Sequence, residues 1–161
     1  MAKMIKVGMA DLNICHSPDA ITTLGLGSCV GVALYDKNTK TAGLVHVMLP
    51  DSTKVRQNQN RAKFADTGID YLIELLEKEG AKKSSLTAKI AGGAQMFAFS
   101  SSNDMLRVGE RNVEAVKDKL KKLGIRILAE DTGLNYGRTV EFYPETGDFI
   151  IKSVGKPVKT I

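Results

Sequence analysis

Two buried strands and the turn between them are predicted by the sequence Val30-Gly31-Val32-Ala33-Leu34-Tyr35-Asp36-Lys37-Asn38-Thr39-Lys40-Thr41-Ala42-Gly43-Leu44-Val45-His46-Val47-Met48-Leu49. The first strand covers residues 30–35, a polar turn covers 36–40, and the second strand covers 42–49. Both faces of the second strand are apolar, which is typical of a strand in a sheet that is covered on both sides. His46 is the one polar side chain in that strand, so it needs a hydrogen-bond partner or a cavity.

The rest of the chain alternates between strands, turns and two helices. Apolar residues at helical spacing predict one helix that begins near Ala65 and is closed by Gly80, and a second that carries Val113 and stops at Gly124. The polar stretches are predicted to be a loop or edge element at 11–19, a mobile surface loop at 51–63 and a flexible loop at 98–104. Further strands are predicted at 5–9, 20–24, 87–91 and 125–129, with a hairpin formed by 138–143 and 149–154. The chain is predicted to be a single domain over residues 1–161, with many strands and two clear helices.

Composition limits the classes of protein to which the chain can belong. With 161 residues, 43% of them hydrophobic, the chain can bury a full core, but its apolar runs are too short to cross a bilayer. Residues 1–6 lack the apolar segment of a signal peptide, so a cytoplasmic location is expected. Cys15 and Cys29 are too few for a disulfide framework and are expected to be thiols. The net charge of +5 permits an acidic partner without requiring nucleic acid.

Cys29 and His46 are the candidate catalytic residues. Cys29 ends the glycine-containing turn Gly25-Leu26-Gly27-Ser28-Cys29, where its sulfur and its N–H can face a substrate. A histidine on a neighbouring strand can take the thiol proton and raise the thiolate fraction, which is the minimal apparatus for attack on a carbonyl. The structural alternative is a buried thiol beside a core histidine.

The same residues could also belong to a phosphate-binding loop or a zinc site, but the sequence argues against both. The glycine turn lacks the Gly-Lys-Ser/Thr ending of a phosphate loop. Cys15, His16, Cys29 and His46 lack the spacing of a zinc site, so no metal and no cofactor are expected. We interpret Cys15 as a structural thiol and His16 as a surface residue, because adjacent residues of an extended segment point to opposite faces. The basic residues of 54–63 form a solvated surface segment that could attract an acidic partner or membrane surface, whereas a nucleic-acid partner is not expected, since that loop has no interleaved aromatic residue.

Five motifs together make the chain resemble one known family, the chemoreceptor glutamine deamidases called CheD. The resemblance spans nearly the whole length, and its specificity comes from the order of all five motifs. They are Thr23-Leu24-Gly25-Leu26-Gly27-Ser28-Cys29, Val45-His46-Val47-Met48-Leu49-Pro50-Asp51, Ala88-Lys89-Ile90-Ala91-Gly92-Gly93-Ala94-Gln95-Met96-Phe97, Gly109-Glu110-Arg111-Asn112-Val113 and Glu130-Asp131-Thr132-Gly133. One departure is Leu134, which stands where the family more often has a second glycine and which bears on loop shape.

The resemblance implies a reaction and three catalytic positions. It makes Cys29 the nucleophile, His46 the general base and Thr23 the residue that helps to hold the histidine, whereas Thr23 alone would pass for an ordinary β-branched strand residue. The implied reaction is hydrolysis of glutamine side-chain amides in the cytoplasmic helices of methyl-accepting chemotaxis receptors, and some members are also credited with hydrolysing receptor glutamyl methyl esters. The implied fold is an α/β sandwich with central mixed β-sheets and flanking helices, related to the catalytic domains of Rho-deamidating toxins.

The resemblance also implies a chemotaxis response-regulator phosphatase as a partner. A helix of that partner could occupy the cleft that accepts the receptor helix. Ser28, Gly27, Gly92, Gly93 and Phe97 are predicted to line this cleft, and Phe97 is either an exposed contact or a core residue. The alternative function is a binding module that engages and stimulates the phosphatase through the cleft. The presence of Cys29, His46 and Thr23 together favours an enzyme, and release of ammonia from a receptor fragment would distinguish the two.

Overall fold

The computed structural model describes residues 2–96 and 107–161. Ten strands, two α-helices and three short 3-10 helices make up the regular structure of these residues. The strands are β1 (Met4–Val7), β2 (Leu12–His16), β3 (Ala20–Leu26), β4 (Val30–Asp36), β5 (Thr41–Val47), β6 (Leu86–Gly92), β7 (Arg126–Thr132), β8 (Arg138–Tyr143), β9 (Asp148–Lys152) and β10 (Lys159–Thr160), and the helices are α1 (Ala65–Lys78) and α2 (Val108–Leu123).

The strands form two mixed sheets that pack face to face. The first sheet has the order β1-β3-β8-β9-β10 and the second has the order β2-β5-β4-β6-β7. The pairs β1–β3 and β6–β7 are parallel, whereas the other pairs are antiparallel. The expected α/β sandwich with mixed β-sheets is therefore confirmed, while its expected relation to toxin domains stays a prediction.

β5 lies at the centre of this arrangement and is buried at every position. On one face, Val45 and Val47 pack with α1 and α2 in a core between the second sheet and the helices. On the other face, Ala42 and Leu44 pack in the core between the two sheets. The prediction of a strand covered on both sides is confirmed, and His46 falls on the face that looks toward the first sheet.

The two helices pack on the outer face of the second sheet, so they flank the sandwich on one side. α1 buries Ile69, Leu72 and Leu76 at helical spacing, as its sequence pattern predicts. α2 ends at Gly124, whose left-handed backbone (φ 73°) lets its N–H cap the last carbonyls. Neither of these helices is long and apolar enough to cross a membrane, and none is found elsewhere among the described residues.

Residues 11–19, predicted as a loop or edge element, contain the edge strand β2, which confirms the second of these alternatives. One segment prediction needs correction. Residues 51–63 are not simply a loop, because they contain two short 3-10 helices, Ser52–Lys54 and Arg61–Lys63. The second of these fastens the chain to the end of β5, since the Lys63 carbonyl accepts hydrogen bonds from the N–H groups of Met48 and Leu49. Polar composition alone does not reveal such backbone pairing.

Candidate active site

The candidate nucleophile lies in a tight turn, Gly27-Ser28-Cys29, between β3 and β4. Cys29 is half-buried, and its carbonyl accepts a hydrogen bond from the Gly93 N–H at 2.8 Å. The Gly27 carbonyl accepts a second bond from the Ala94 N–H at 2.9 Å. The segment after β6 therefore holds the turn from one side through backbone bonds.

Close backbone approach explains the glycines of that segment. A Cβ atom at Gly92 would overlap the Cys29 carbonyl oxygen, and Gly92 also has a φ of +109°, which side chains with a Cβ rarely adopt. A Cβ atom at Gly93 would overlap Val113 of α2. The structure thus brings Gly27, Ser28, Gly92 and Gly93 to the turn of Cys29, whereas Phe97 lies outside the described residues.

His46 lies on the same side of the second sheet as Cys29. In the antiparallel pair of β4 and β5, His46 stands opposite Gly31, and Cys29 precedes Gly31 by two residues. Cys29 lies one residue before β4 and packs against the core between the two sheets, on the face that His46 also occupies. The two side chains can therefore meet in the core between the sheets, where Cys29 packs.

Thr23 of β3 fixes the position and the protonation of the His46 ring. The Thr23 hydroxyl lies 2.7 Å from Nδ1 of His46 and donates its proton to the Val7 carbonyl at 2.8 Å. A hydroxyl has one proton, and a carbonyl can only accept, so the Thr23 oxygen must accept the bond from His46. His46 consequently carries its proton on Nδ1, and Nε2 keeps a free lone pair.

This free nitrogen is buried and unpaired. His46 is 1% exposed, and its Nε2 has no hydrogen-bond partner among the described residues, the Cys29 thiol included. An unpaired buried acceptor is costly and is often found at functional positions. Catalytic hydrogen bonds are often long or unformed in the absence of substrate and tighten in its complex.

Burial keeps both partners neutral in this state. It lowers the pKa of the His46 imidazole below its ordinary value of 6.5 and raises the pKa of the Cys29 thiol above its ordinary value of 9.0. The sequence predicts a raised thiolate fraction at neutral pH, and the structure differs because desolvation disfavours both charges. His46 is thus suited to act as a general base during attack, with the thiol proton moving as the new bond forms.

The two thiols are expected to differ in their reaction with iodoacetamide. Cys15 is 4% exposed, and burial together with the Asp19 carboxylate raises its pKa to about 12, so its thiolate is scarce. Cys29 is more exposed and should be labelled first at neutral pH, with a rate that still rises as the pH approaches 9.0 because burial raises its pKa. Time-resolved labelling at several pH values, followed by peptide mass spectrometry, measures this. Preferential labelling of Cys15 would contradict it.

Cys15 and His16 form no catalytic pair. Both lie on the edge strand β2, with Cys15 buried in the core between the sheets. The His16 ring is half exposed and bonds to the Thr41 hydroxyl at 3.0 Å and to Glu79 at 3.4 Å. The interpretation of a structural thiol next to a surface histidine is confirmed.

Leu134 keeps the loop conformation that glycine would favour. Its φ is +61°, in the left-handed region, and it directly follows Gly133 at +79°. Its carbonyl accepts a hydrogen bond from the Gln95 N–H at 2.9 Å, which ties this loop to the segment after β6. The departure from the family pattern therefore leaves a left-handed loop beside the candidate site.

Asn112 is a residue of the site that the sequence reasoning missed. It is 0% exposed, and its side-chain amide donates to the carbonyls of Ser28 and Met48. Its helical spacing could have indicated this position, because Asn112 lies four residues before the buried Val116 and therefore on the same inward face of α2.

Comparisons with known proteins agree on one family. A family model described as "CheD chemotactic sensory transduction" matches residues 48–153, a range that begins after Cys29 and His46. Full-length relatives cover those residues as well. A probable chemoreceptor glutamine deamidase CheD of Lachnoclostridium phytofermentans is 71% identical over 161 residues, with 100% of both chains covered.

Two further relatives carry the same name. The chemoreceptor glutamine deamidase CheD of Halalkalibacterium halodurans is 57% identical over 162 residues, covering 100% of both chains. The one of Bacillus subtilis is 52% identical over 161 residues, covering 99% of this chain and 97% of the other.

Proposed function

The chain belongs to the CheD family, and from that premise we propose that it hydrolyses glutamine side-chain amides of chemotaxis receptors, leaving glutamate and releasing ammonia. Three relatives that match nearly the whole chain are named chemoreceptor glutamine deamidases, which supports this substrate and this reaction. The observation that carries the proposal is the neutral His46 ring, whose unpaired Nε2 lies on the same face of the sheet as Cys29.

The first half of the reaction forms a thioester. His46 Nε2 takes the thiol proton while Cys29 Sγ attacks the amide carbon, so the imidazole becomes an imidazolium and the amide oxygen becomes an oxyanion. The Nε2 proton then passes to the amide nitrogen, the carbon–nitrogen bond breaks, and ammonia leaves. Thr23 supports both steps, because its oxygen accepts the Nδ1–H bond that strengthens when the ring is charged.

The second half restores the enzyme. Water takes the place of ammonia, His46 Nε2 accepts one of its protons, and the resulting hydroxide attacks the thioester carbon. The carbon–sulfur bond breaks, Cys29 recovers its proton from the imidazolium, and the glutamate carboxylic acid ionises in solution. The net change is one water consumed and one amide converted into a carboxylate and ammonium.

Substitution of Thr23 is expected to slow the reaction without removing the nucleophile. Thr23→Val keeps the shape of the side chain but removes the acceptor of the His46 Nδ1–H and the hydroxyl donor to the Val7 carbonyl, so the ring can change tautomer or turn. We expect a fall in kcat of about 100-fold, the lower end of what a well-placed general base contributes. Steady-state ammonia release measures it.

The neighbouring threonine offers a matched control. Thr22 is also buried and donates to a backbone carbonyl, that of Val140 at 2.7 Å, but it touches no histidine. Thr22→Val should lose stability and keep its kcat, and Thr23→Ser should recover most of the activity because the oxygen returns. Equal effects of Thr22→Val and Thr23→Val on kcat would contradict the role of Thr23.

The direct test of the proposed function uses a purified cytoplasmic fragment of a chemotaxis receptor. Ammonia release and the mass shift from amide to acid at specific glutamines should appear together and should depend on the enzyme concentration. A folded, labelled enzyme that converts no glutamine in such fragments would contradict the proposal. The expected partnership with a response-regulator phosphatase stays a prediction, as does the cytoplasmic location.

A further inference from the structure

Asn112 connects the two halves of the candidate catalytic pair. Its Nδ2 donates to the Ser28 carbonyl at 3.0 Å and to the Met48 carbonyl at 2.9 Å. Ser28 directly precedes Cys29, and Met48 follows His46 by two residues. One buried amide group therefore binds both the turn of the nucleophile and the end of the strand that carries the base.

The orientation of this amide is determined by its partners. Both partners are carbonyl oxygens, which accept and cannot donate, so only the NH2 end of the side chain can face them. The opposite end, Oδ1, is buried and has no partner among the described residues. The unpaired Oδ1 costs free energy, which the two hydrogen bonds from Nδ2 offset.

Tight packing at the start of α2 positions Asn112 beside the turn that carries Cys29. A Cβ atom at Gly109 would overlap the carbonyl oxygens of Gly93 and Ala94, so the first turn of α2 rests directly on the segment that holds Cys29. That segment and Asn112 clamp the turn from two sides. Gly93 bonds to the carbonyl of Cys29, and Asn112 bonds to the carbonyl just before it.

The bond to Ser28 sets the direction of the Cys29 N–H. In a trans peptide the carbonyl and the N–H of the same unit point in opposite directions. Because the Ser28 carbonyl points at Asn112, the Cys29 N–H points away from the helix layer, and it donates no hydrogen bond within the described residues. A free N–H on the nucleophile itself is a suitable donor for the oxyanion that forms when Sγ attacks.

We propose that Asn112 is a positioning residue that, through its bond to the Ser28 carbonyl, aims the Cys29 N–H at the oxyanion. This inference rests on the proposed deamidation, since an oxyanion forms only in acyl transfer. Asn112 itself touches no reacting atom. Its contribution passes through the Ser28–Cys29 peptide.

Deamidation and alkylation both use the Cys29 thiol, and comparing their rates distinguishes the positioning role of Asn112 from general loosening of the site. Deamidation develops an oxyanion, whereas alkylation by iodoacetamide displaces iodide from a saturated carbon and develops none. For Asn112→Ala we expect kcat for ammonia release to fall by about 100-fold, as for loss of one oxyanion donor, with little change in KM. The rate and pH profile of Cys29 alkylation should stay as in the parent.

Val116→Ala is the matched control, since Val116 is buried one turn further along α2 and bonds to nothing in the turn. It should lower the unfolding temperature and keep kcat. Asn112→Ser is a milder variant, because its single hydroxyl proton can bond to only one of the two carbonyls. Its kcat for ammonia release should lie between those of Asn112→Ala and the parent. It also keeps the test possible if Asn112→Ala does not fold.

Either of two results would overturn the inference. One is a folded Asn112 variant with parental kcat. The other is a parallel fall of kcat and alkylation rate, which would indicate a loosened site. If Cys29→Ala abolishes ammonia release while Asn112→Ala does not, the proposed function stands and only the role of Asn112 fails.

Discussion

Cys29→Ala should remove ammonia release almost completely, by at least about 10⁴-fold in kcat, because the only other thiol, that of Cys15, is buried on the edge strand β2. The fold should survive, since Cys29 is half-buried at a turn and the backbone bonds from Gly93 and Ala94 do not involve its sulfur. Ammonia release from a receptor fragment measures the loss, and thermal unfolding monitors the fold.

Cys15→Ala is the control for this substitution. Cys15 is the other cysteine of the chain and is more deeply buried, so its loss should lower stability more than Cys29→Ala does. Its kcat should remain that of the parent. Residual deamidation in Cys29→Ala well above the rate without enzyme would show that the nucleophile is another group.

His46→Gln should lower kcat by about 10⁴-fold, close to the loss in Cys29→Ala, because nucleophile and base act as one unit. Glutamine can still pair with Thr23 but cannot accept and return a proton. The double variant Cys29→Ala with His46→Gln should be little worse than either single variant. Ammonia release under saturating substrate measures all three.

The second histidine supplies the control for the base. His16→Gln changes a half-exposed ring on the edge strand and should leave kcat unchanged. The parent enzyme should lose activity in acid with a midpoint below 6.5, since burial lowers the pKa of His46 and protonated Nε2 cannot act as a base. Near-parental turnover in His46→Gln would mean that the base is assigned wrongly.

Much of the fold follows from local patterns in the sequence. The run 42–49 is apolar on both faces, which predicted a strand covered on both sides, and β5 is buried throughout. Helical spacing of Ile69, Leu72 and Leu76 predicted α1. The prediction of a mobile loop at 51–63 missed the 3-10 helices Ser52–Lys54 and Arg61–Lys63 and the backbone bonds from Met48 and Leu49 to Lys63, since polar composition does not reveal backbone pairing.

The chemical groups and the family could be predicted from residues alone: a thiol on a glycine turn, a histidine in an apolar strand, and five ordered motifs between residues 23 and 133. The orientation of these groups depends on tertiary packing. The tautomer of His46 depends on Val7 and Thr23, which two different strands of the other sheet supply. The direction of the Cys29 N–H depends on Asn112, 84 positions from Ser28. Hydrogen bonds depend on distance and direction between atoms, and those are established only when separate elements pack together.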